Sequence, residues 1–417
     1  MEAESGQSKS DNLFGISLPT SPIRLLKSAV VYGPNASGKT NLIRSIFALT
    51  KFILNSADLK ADESIPFYDP FLLDVQTRTE PCEFEIIFAP LKEGKYIKHR
   101  YAFSFNGTSV ISEELDYYPK GQSQNLFRRN PISEQKGNIH IGKLGQLFGS
   151  KEITVFQNQL ILSKFGKVTP DAVLTDLYLY FTTIEVWNAL DSIRIDKLKD
   201  EIAGDLLQPD NHKLLKRINK LLKIADTRIE SINIKEVGES DFKFPENFPE
   251  KLRNEIIESN KIQVSANHKL YDHEKENGVV DIPFWDESAG TNVLLALGGV
   301  ILKRLDKGGV IFFDELDNSL HPKLSKFLVR LFNNPISNPN NTQLIVATHE
   351  VTLLDKDVFR KDQIWFAEKN KFGVTDLFSV KEIEGVRDDS PFDKWYMNGK
   401  FGGQPKIKEV EFIFDNE

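Results

Sequence analysis

The chain has 417 residues, carries 53 Lys and Arg against 60 Asp and Glu, and has a formal net charge of −7. With 40% hydrophobic and 11% aromatic residues it can bury a sizeable core, which excludes global disorder, and its acidic balance argues against a general nucleic-acid coat. One cysteine, Cys82, excludes an internal disulfide or a Cys-rich zinc site and makes a reducing cytoplasm the expected location. The longest clean apolar run, near 293–302, is far short of the roughly 18 residues a membrane span needs, so no membrane partner is expected. The polar opening lacks a signal-peptide pattern.

Residues 1–22 read as a loose polar entry containing Pro19 and Pro22. Ala29-Val30-Val31-Tyr32 is a short buried-strand signal, followed by a glycine-rich turn and a helix over 40–55. Residues 84–88, 96–105 and 109–115 are strand-like, with Asn106-Gly107 as a hairpin turn, and predict an antiparallel β-lobe. Residues 121–150 are polar and without clear period. The period turns helical from 170 to 224, most clearly over 174–193 and 213–223. Residues 237–249 form a loop punctuated by Gly238, Pro245 and Pro249. Strands return at 262–270 and 279–284. From Thr291 onward helix and strand alternate: helices over 292–305 and 322–332, strands over 310–313, 342–347 and 363–366. That alternation predicts a parallel sheet with crossover helices.

Gly33-Pro34-Asn35-Ala36-Ser37-Gly38-Lys39-Thr40 fits the phosphate-loop pattern G-x-x-x-x-G-K-[ST], between a strand and a helix as the motif requires. Its glycines allow a tight turn that points backbone N–H groups at anionic oxygens, and the helix start adds positive potential. Lys39 is expected to hold the β- and γ-phosphates of ATP, and Thr40 to ligate Mg²⁺. Val310-Ile311-Phe312-Phe313-Asp314-Glu315 is an apolar strand ending in two acids. A buried parallel strand has little reason to end so unless the acids face a site. Asp314 is expected in the Mg²⁺ shell and Glu315 as the base that directs water. Thr348-His349-Glu350 ends the next strand, where His349 can report the γ-phosphate.

The phosphate loop and the acidic strand end are about 275 residues apart, far more than in kinases, small GTPases or ring-forming ATPases. ABC-type ATPases insert a β-lobe and a helical lobe at this point. Their signature loop opens a helix before the acidic strand; here the candidate is 286–291, with Ser288 as N-cap beside Gly290. In that class the signature loop binds the nucleotide held by a second subunit, and Asp317 falls where the dimer seam is lined. The expected fold is therefore an α/β P-loop NTPase of ABC type in three segments: 1–165 with the phosphate loop and β-lobe, 166–284 as helical insertion, and 285–417 with signature, acidic strand and His349.

The chain resembles the RloA and AbiL-type abortive-infection ATPases of bacterial defence, with AriA of the PARIS system as a relative. The likeness is carried by residues 25–40, 287–291, 313–322, 348–350 and 360–366; Leu316-Asp317-Asn318-Ser319-Leu320-His321-Pro322 and Asp362-Gln363-Ile364-Trp365-Phe366 are its most specific strings. The resemblance implies a homo-oligomeric ATPase that senses infection and controls a toxic partner encoded nearby, often a Toprim-type nuclease. A more distant likeness to RecF and SMC heads gives the alternative, a DNA-repair or DNA-binding ATPase. In two respects the chain departs from the family pattern. Residues 1–24 look too short for the β-hairpin that relatives carry ahead of the first strand, and no glutamine loop is assignable, Gln76 being the nearest candidate. The basic helix 213–223 and the string Lys95, Lys98, His99 and Arg100 are read as solvated faces, the first with some capacity for nucleic acid or an acidic partner. Trp395, Tyr396 and Phe401 are expected to dock the tail by packing.

Overall fold

The computed structural model describes residues 1–6, 8–130, 139–141, 155–168, 172–188, 192–225, 227–239, 242, 244–245, 248–259, 261–318 and 320–404. Ser319, most of the polar stretch 121–150 and parts of the expected helix 174–193 and loop 237–249 lie outside them. The chain divides into two compact units.

The first unit comprises Met1–Trp187, Gly309–Asp314 and Gln343–Glu417. Its centre is a six-stranded sheet of β11 (Ile184–Asn188), β15 (Val310–Asp314), β16 (Gln343–Ala347), β3 (Ser28–Tyr32), β17 (Ile364–Lys369) and β18 (Thr375–Ser379), in that order. β15, β16, β3 and β17 run parallel, and β18 returns antiparallel as the edge. All five residues of β3 are buried, as the continuous apolar run requires of a strand covered on both faces. β11 corrects the helical expectation for 174–193. The helix Ala172–Phe181 stops, and Ile184–Asn188 joins the sheet edge beside β15, where Thr183 O accepts from Val310 N at 3.0 Å. Tertiary pairing of β-branched and aromatic residues outweighs the local helical period.

A hairpin does precede β3, contrary to expectation: β1 (Leu13–Ser17) pairs antiparallel with β2 (Pro22–Leu26). Only five residues per strand are needed, because residues far along the chain anchor it. Asn12 Nδ2 donates to Gln363 Oε1 (2.6 Å), Gln363 Nε2 donates to Ser28 O (2.8 Å), and Glu4 N donates to Asp362 Oδ2 (2.8 Å). Asp362 is also buried against Arg360 at 2.9 Å. The Asp362-Gln363 string thus latches the N-terminal segment to the sheet.

The β-lobe is a five-stranded antiparallel sheet in the order Ile139–Ile141, Gln124–Arg129, Val110–Tyr117, His99–Phe105, Cys82–Phe88. Asn106 Oδ1 accepts from Thr108 N (3.0 Å) and Ser109 N (2.8 Å), closing the predicted turn. The lobe packs on α1 (Lys39–Asn55), the helix that follows the phosphate loop: Phe52 meets Phe105 at 4.7 Å and Phe103 at 5.9 Å between ring centroids. Inside the lobe, fully buried Glu113 accepts from Tyr101 Oη (2.8 Å), Ile161 N (2.8 Å) and Leu162 N (3.1 Å). Burial still pushes the Glu113 carboxyl upward, against the pull of Arg129 and these donors. The tail docks by packing: Tyr396 stacks on Phe366 at 5.3 Å, Phe401 lies 5.4 Å from the same ring, and Tyr396 Oη donates to Gly403 O (2.9 Å).

His99 gives the lobe an acid sensitivity. Its ring is 6% exposed, stacks on Phe88 at 5.5 Å, and sets Nδ1 2.8 Å from Ile97 O. Burial lowers its pKa from 6.5 to about 4. The unfolded chain therefore binds more protons between those values. The contribution is fully present above about pH 6.5 and is lost as pH falls toward 4, a change of roughly 3 kcal/mol. The urea midpoint is expected to drop on going from pH 7 to pH 4.5, and His99→Phe to shrink that drop. An equal drop in both proteins would contradict this.

The second unit comprises Asn188–Gly308 and Glu315–Thr342. It holds the helices Ser192–Leu207, His212–Ile224 and Ala289–Lys307 and a three-stranded antiparallel sheet, Ile229–Glu236, Ile262–Asp272 and Lys275–Pro283. The helix Glu250–Ser259 was not legible as one in the sequence. Residues 285–308, placed with the C-terminal segment in the sequence reading, group here because helix Ala289–Lys307 packs on the other two helices. Gly298 and Gly299 permit that packing. A Cβ at Gly298 would lie 2.4 Å from Leu221 Cδ2, and one at Gly299 would lie 2.8 Å from Ile202 side-chain atoms.

Candidate functional site

The sequence places the phosphate loop where a buried strand hands over to a helix, and the backbone there does what glycine allows. Ala36 (φ 64) and Gly38 (φ 107) are both left-handed. A Cβ on Gly33 would lie 2.4 Å from Ala367 O, and one on Gly38 would lie 2.1 Å from Thr375 Oγ1, so neither position tolerates a side chain without movement. The loop turns back so that Ser37 N donates to Pro34 O (3.1 Å), and Thr375 Oγ1 donates to Ser37 O (2.9 Å). Lys39, 5% exposed, donates from Nζ to Gly33 O (2.7 Å) and Pro34 O (3.2 Å). Its charge is thereby held inside the loop. Residues 36–41 and Lys369 line one pocket.

The residues fit a phosphate ligand on two counts. The left-handed turn opens a concavity of backbone N–H groups at the start of α1. The Ser37 hydroxyl is buried with no hydrogen-bond partner among the described residues, a group that costs about 1–3 kcal/mol unless something satisfies it.

Strand register brings Asp314 and His349 to the same end of the sheet. Asp314 pairs with Ala347, and Ala347 pairs with Val31, so the three strands end in line. Thr348 N donates to Val31 O (3.0 Å), which ties the histidine's strand end to the strand that feeds the phosphate loop. Asp314 is 2% exposed, whereas His349 is exposed. Thr348 is buried, and its Oγ1 accepts from Glu350 N (2.9 Å); the Glu350 carboxylate caps the next turn by accepting from Thr352 N (2.9 Å). Asp314 and the Thr40 hydroxyl offer the hard oxygen donors that Mg²⁺ prefers.

Glu315, next in the chain, belongs to the second unit and has φ 59, an uncommon conformation for a residue with a side chain. Its carbonyl accepts from Asn318 N (3.0 Å) and the Asp317 carbonyl from Leu320 N (3.1 Å), so both sit in a tight turn. In the same unit Ser288 is the N-cap of helix Ala289–Lys307: its Oγ accepts from Thr291 N at 3.1 Å. Ser288 is exposed and Gly290 half-buried, at the positive end of a 19-residue helix. Gln76, the weak glutamine-loop candidate, is exposed at the N-cap of a 3₁₀ turn in the loop before Cys82–Phe88.

The two residues that sequence reasoning missed are Lys369 and Thr375, which face each other across the β17–β18 hairpin. Nothing local marks them; they reach the loop because the sheet places β17 beside β3. Part of each basic string is engaged by neighbours, while Lys216 and Lys220 are exposed. Asp306 pairs with Lys213 (3.3 Å) and Arg217 (2.7 Å), and Glu230 pairs with Lys223 (2.7 Å). Arg100 pairs with Glu85 (2.7 Å) and Glu114 (3.0 Å).

A strand-loop-helix phosphate cradle, with an acidic strand end aligned beside it, defines an α/β P-loop NTPase domain. The β-lobe and the Asn188–Gly308 part of the second unit lie between its two motifs in the chain. The chain belongs to the family described as "AAA domain, putative AbiEii toxin, Type IV TA system", whose model matches residues 28–355. A solved structure, cbiO1 from Clostridium perfringens, part of the ABC transporter complex cbiONQ, is similar over 97% of this chain and 98% of that one, at 10% identity and a TM-score of 0.32. Among curated proteins none matches. Among the described residues no helix is long and apolar enough to cross a membrane.

Proposed function

We propose that the chain binds ATP with Mg²⁺ and hydrolyses it to ADP and phosphate at a site shared by two copies, and that the nucleotide state controls a toxic effector in cytoplasmic antiviral defence of the abortive-infection kind. The observation that carries the enzymatic part is the phosphate loop, closed in a left-handed turn that only glycine fits at residues 33 and 38. Lys39 neutralises phosphate charge, as do the loop N–H groups. Asp314 and Thr40 hold Mg²⁺, which when bound screens the charge between phosphates. Glu315 orients and deprotonates the attacking water, and His349 donates a hydrogen bond to the γ-phosphate. Ser288 and Gly290, at an exposed helix start, close the site of the second copy. The family description, with its words "AbiEii toxin, Type IV TA system", supports the defence setting.

Light scattering tests the shared site. Glu315→Gln with saturating MgATP is expected to double in mass, and Glu315→Gln with Ser288→Glu to remain at the starting mass. No change in Glu315→Gln at any ATP concentration would contradict a two-chain site. In cells, Lys39→Ala should abolish phage protection; full protection would overturn the defence role of the nucleotide.

A further inference from the structure

We infer that Lys369 is a second phosphate-binding cation and that it meets the phosphate next to the nucleoside; this rests on the nucleotide reading above. Lys369 is exposed at the end of β17 and lines the same pocket as residues 36–41. Its place is fixed by more than proximity. Across the hairpin it stands directly opposite Thr375, whose hydroxyl donates to Ser37 O at 2.9 Å and whose side chain fills the space over Gly38. The hairpin end is therefore referenced to the phosphate loop by a hydrogen bond and a steric fit.

Charge on that face favours an anion. The acids of the hairpin, Glu368 and Asp376, pair with each other one position along the register, so strand alternation puts them on the opposite face from Lys369. Among the described residues the Lys369 side chain makes no hydrogen bond or ion pair. Lys39, in contrast, is already bound by Gly33 O and Pro34 O.

Sheet order then decides which phosphate Lys369 meets. β16, which ends at Ala347 two residues before His349, and β15, which ends at Asp314, flank β3 on one side; β17 and β18 flank it on the other. A polyphosphate with its terminal group toward Asp314 and His349 points its nucleoside end toward the β17–β18 hairpin. Lys369 thus faces the proximal phosphate, which ATP and ADP share.

Titration of the purified full-length chain with ATP and with ADP, each with Mg²⁺, tests this. Lys369→Ala is expected to weaken both by the same factor, about tenfold, the size of one charge-assisted hydrogen bond. Lys369→Arg is expected to stay within about threefold of wild type, because it keeps the charge. Thermal unfolding without nucleotide should be the same in all three proteins. Loss of affinity for ATP alone would assign Lys369 to the terminal phosphate and overturn the inference, as would unchanged affinity for both. If wild type takes up neither nucleotide, the underlying nucleotide reading fails first and this inference with it.

Discussion

Glu315→Gln is expected to lower ATP turnover about 10²–10⁴-fold while leaving ATP binding within about threefold of wild type. Glutamine keeps the shape and one acceptor oxygen of the side chain, replaces the other oxygen by a donor NH₂ group, and removes its basicity. The backbone supplies a second, independent signature. Glu315 adopts φ 59 directly after the buried Asp314, a conformation that costs about 1–2 kcal/mol for an L-residue. Such strain persists when the surrounding structure over-determines it, and it clusters at working sites. Glu315→Gly should therefore raise the unfolding temperature of the nucleotide-free protein while its turnover is lost, because glycine relieves the strain and carries no base. Steady-state phosphate release and a thermal scan read the two effects separately. Wild-type turnover in Glu315→Gln would remove the residue from the mechanism.

Gly38→Ala is expected to reduce ATP affinity about 100-fold. Two terms add. Alanine at φ 107 is strained, and its methyl would sit 2.1 Å from Thr375 Oγ1 and 2.8 Å from Thr375 Cγ2. Together they should cost about 3 kcal/mol, taken either by displacing the phosphate loop or by pushing the hairpin away. The two terms are separable. In Gly38→Ala with Thr375→Gly the steric contact is gone and the backbone strain remains, so affinity should recover in part but not fully. Calorimetric titration of the four proteins of this cycle gives the coupling directly. Independent effects of the two substitutions would mean that the hairpin does not brace the loop.

Legibility followed contiguity. The phosphate loop was readable because all its chemistry lies within eight adjacent residues between a strand and a helix. Asp314 stands out because two acids end an apolar strand, and the strand register sets it in line with the loop's strand. The parallel sheet followed from the alternation after Thr291, although its antiparallel edge β18 did not. Elements whose stability comes from distant partners stayed hidden. Strand β11 sits in a stretch with helical period and forms only because the sheet offers it an edge. Gln124–Arg129 alternates too weakly to announce a strand, and it is held by Val110–Tyr117 beside it. The N-terminal hairpin is short enough to be overlooked because Asp362 and Gln363, some 350 residues away, pin it. Lys369 and Thr375 belong to the same class, as their relation to the loop exists only once β17 lies against β3.

The central claim is that residues 33–40 cradle a nucleotide's phosphates. A calorimetric titration of the wild-type chain with MgATP tests it most directly. The account predicts saturable uptake of one ATP per chain, abolished by Lys39→Ala; a flat titration of correctly folded protein across the millimolar range would contradict it.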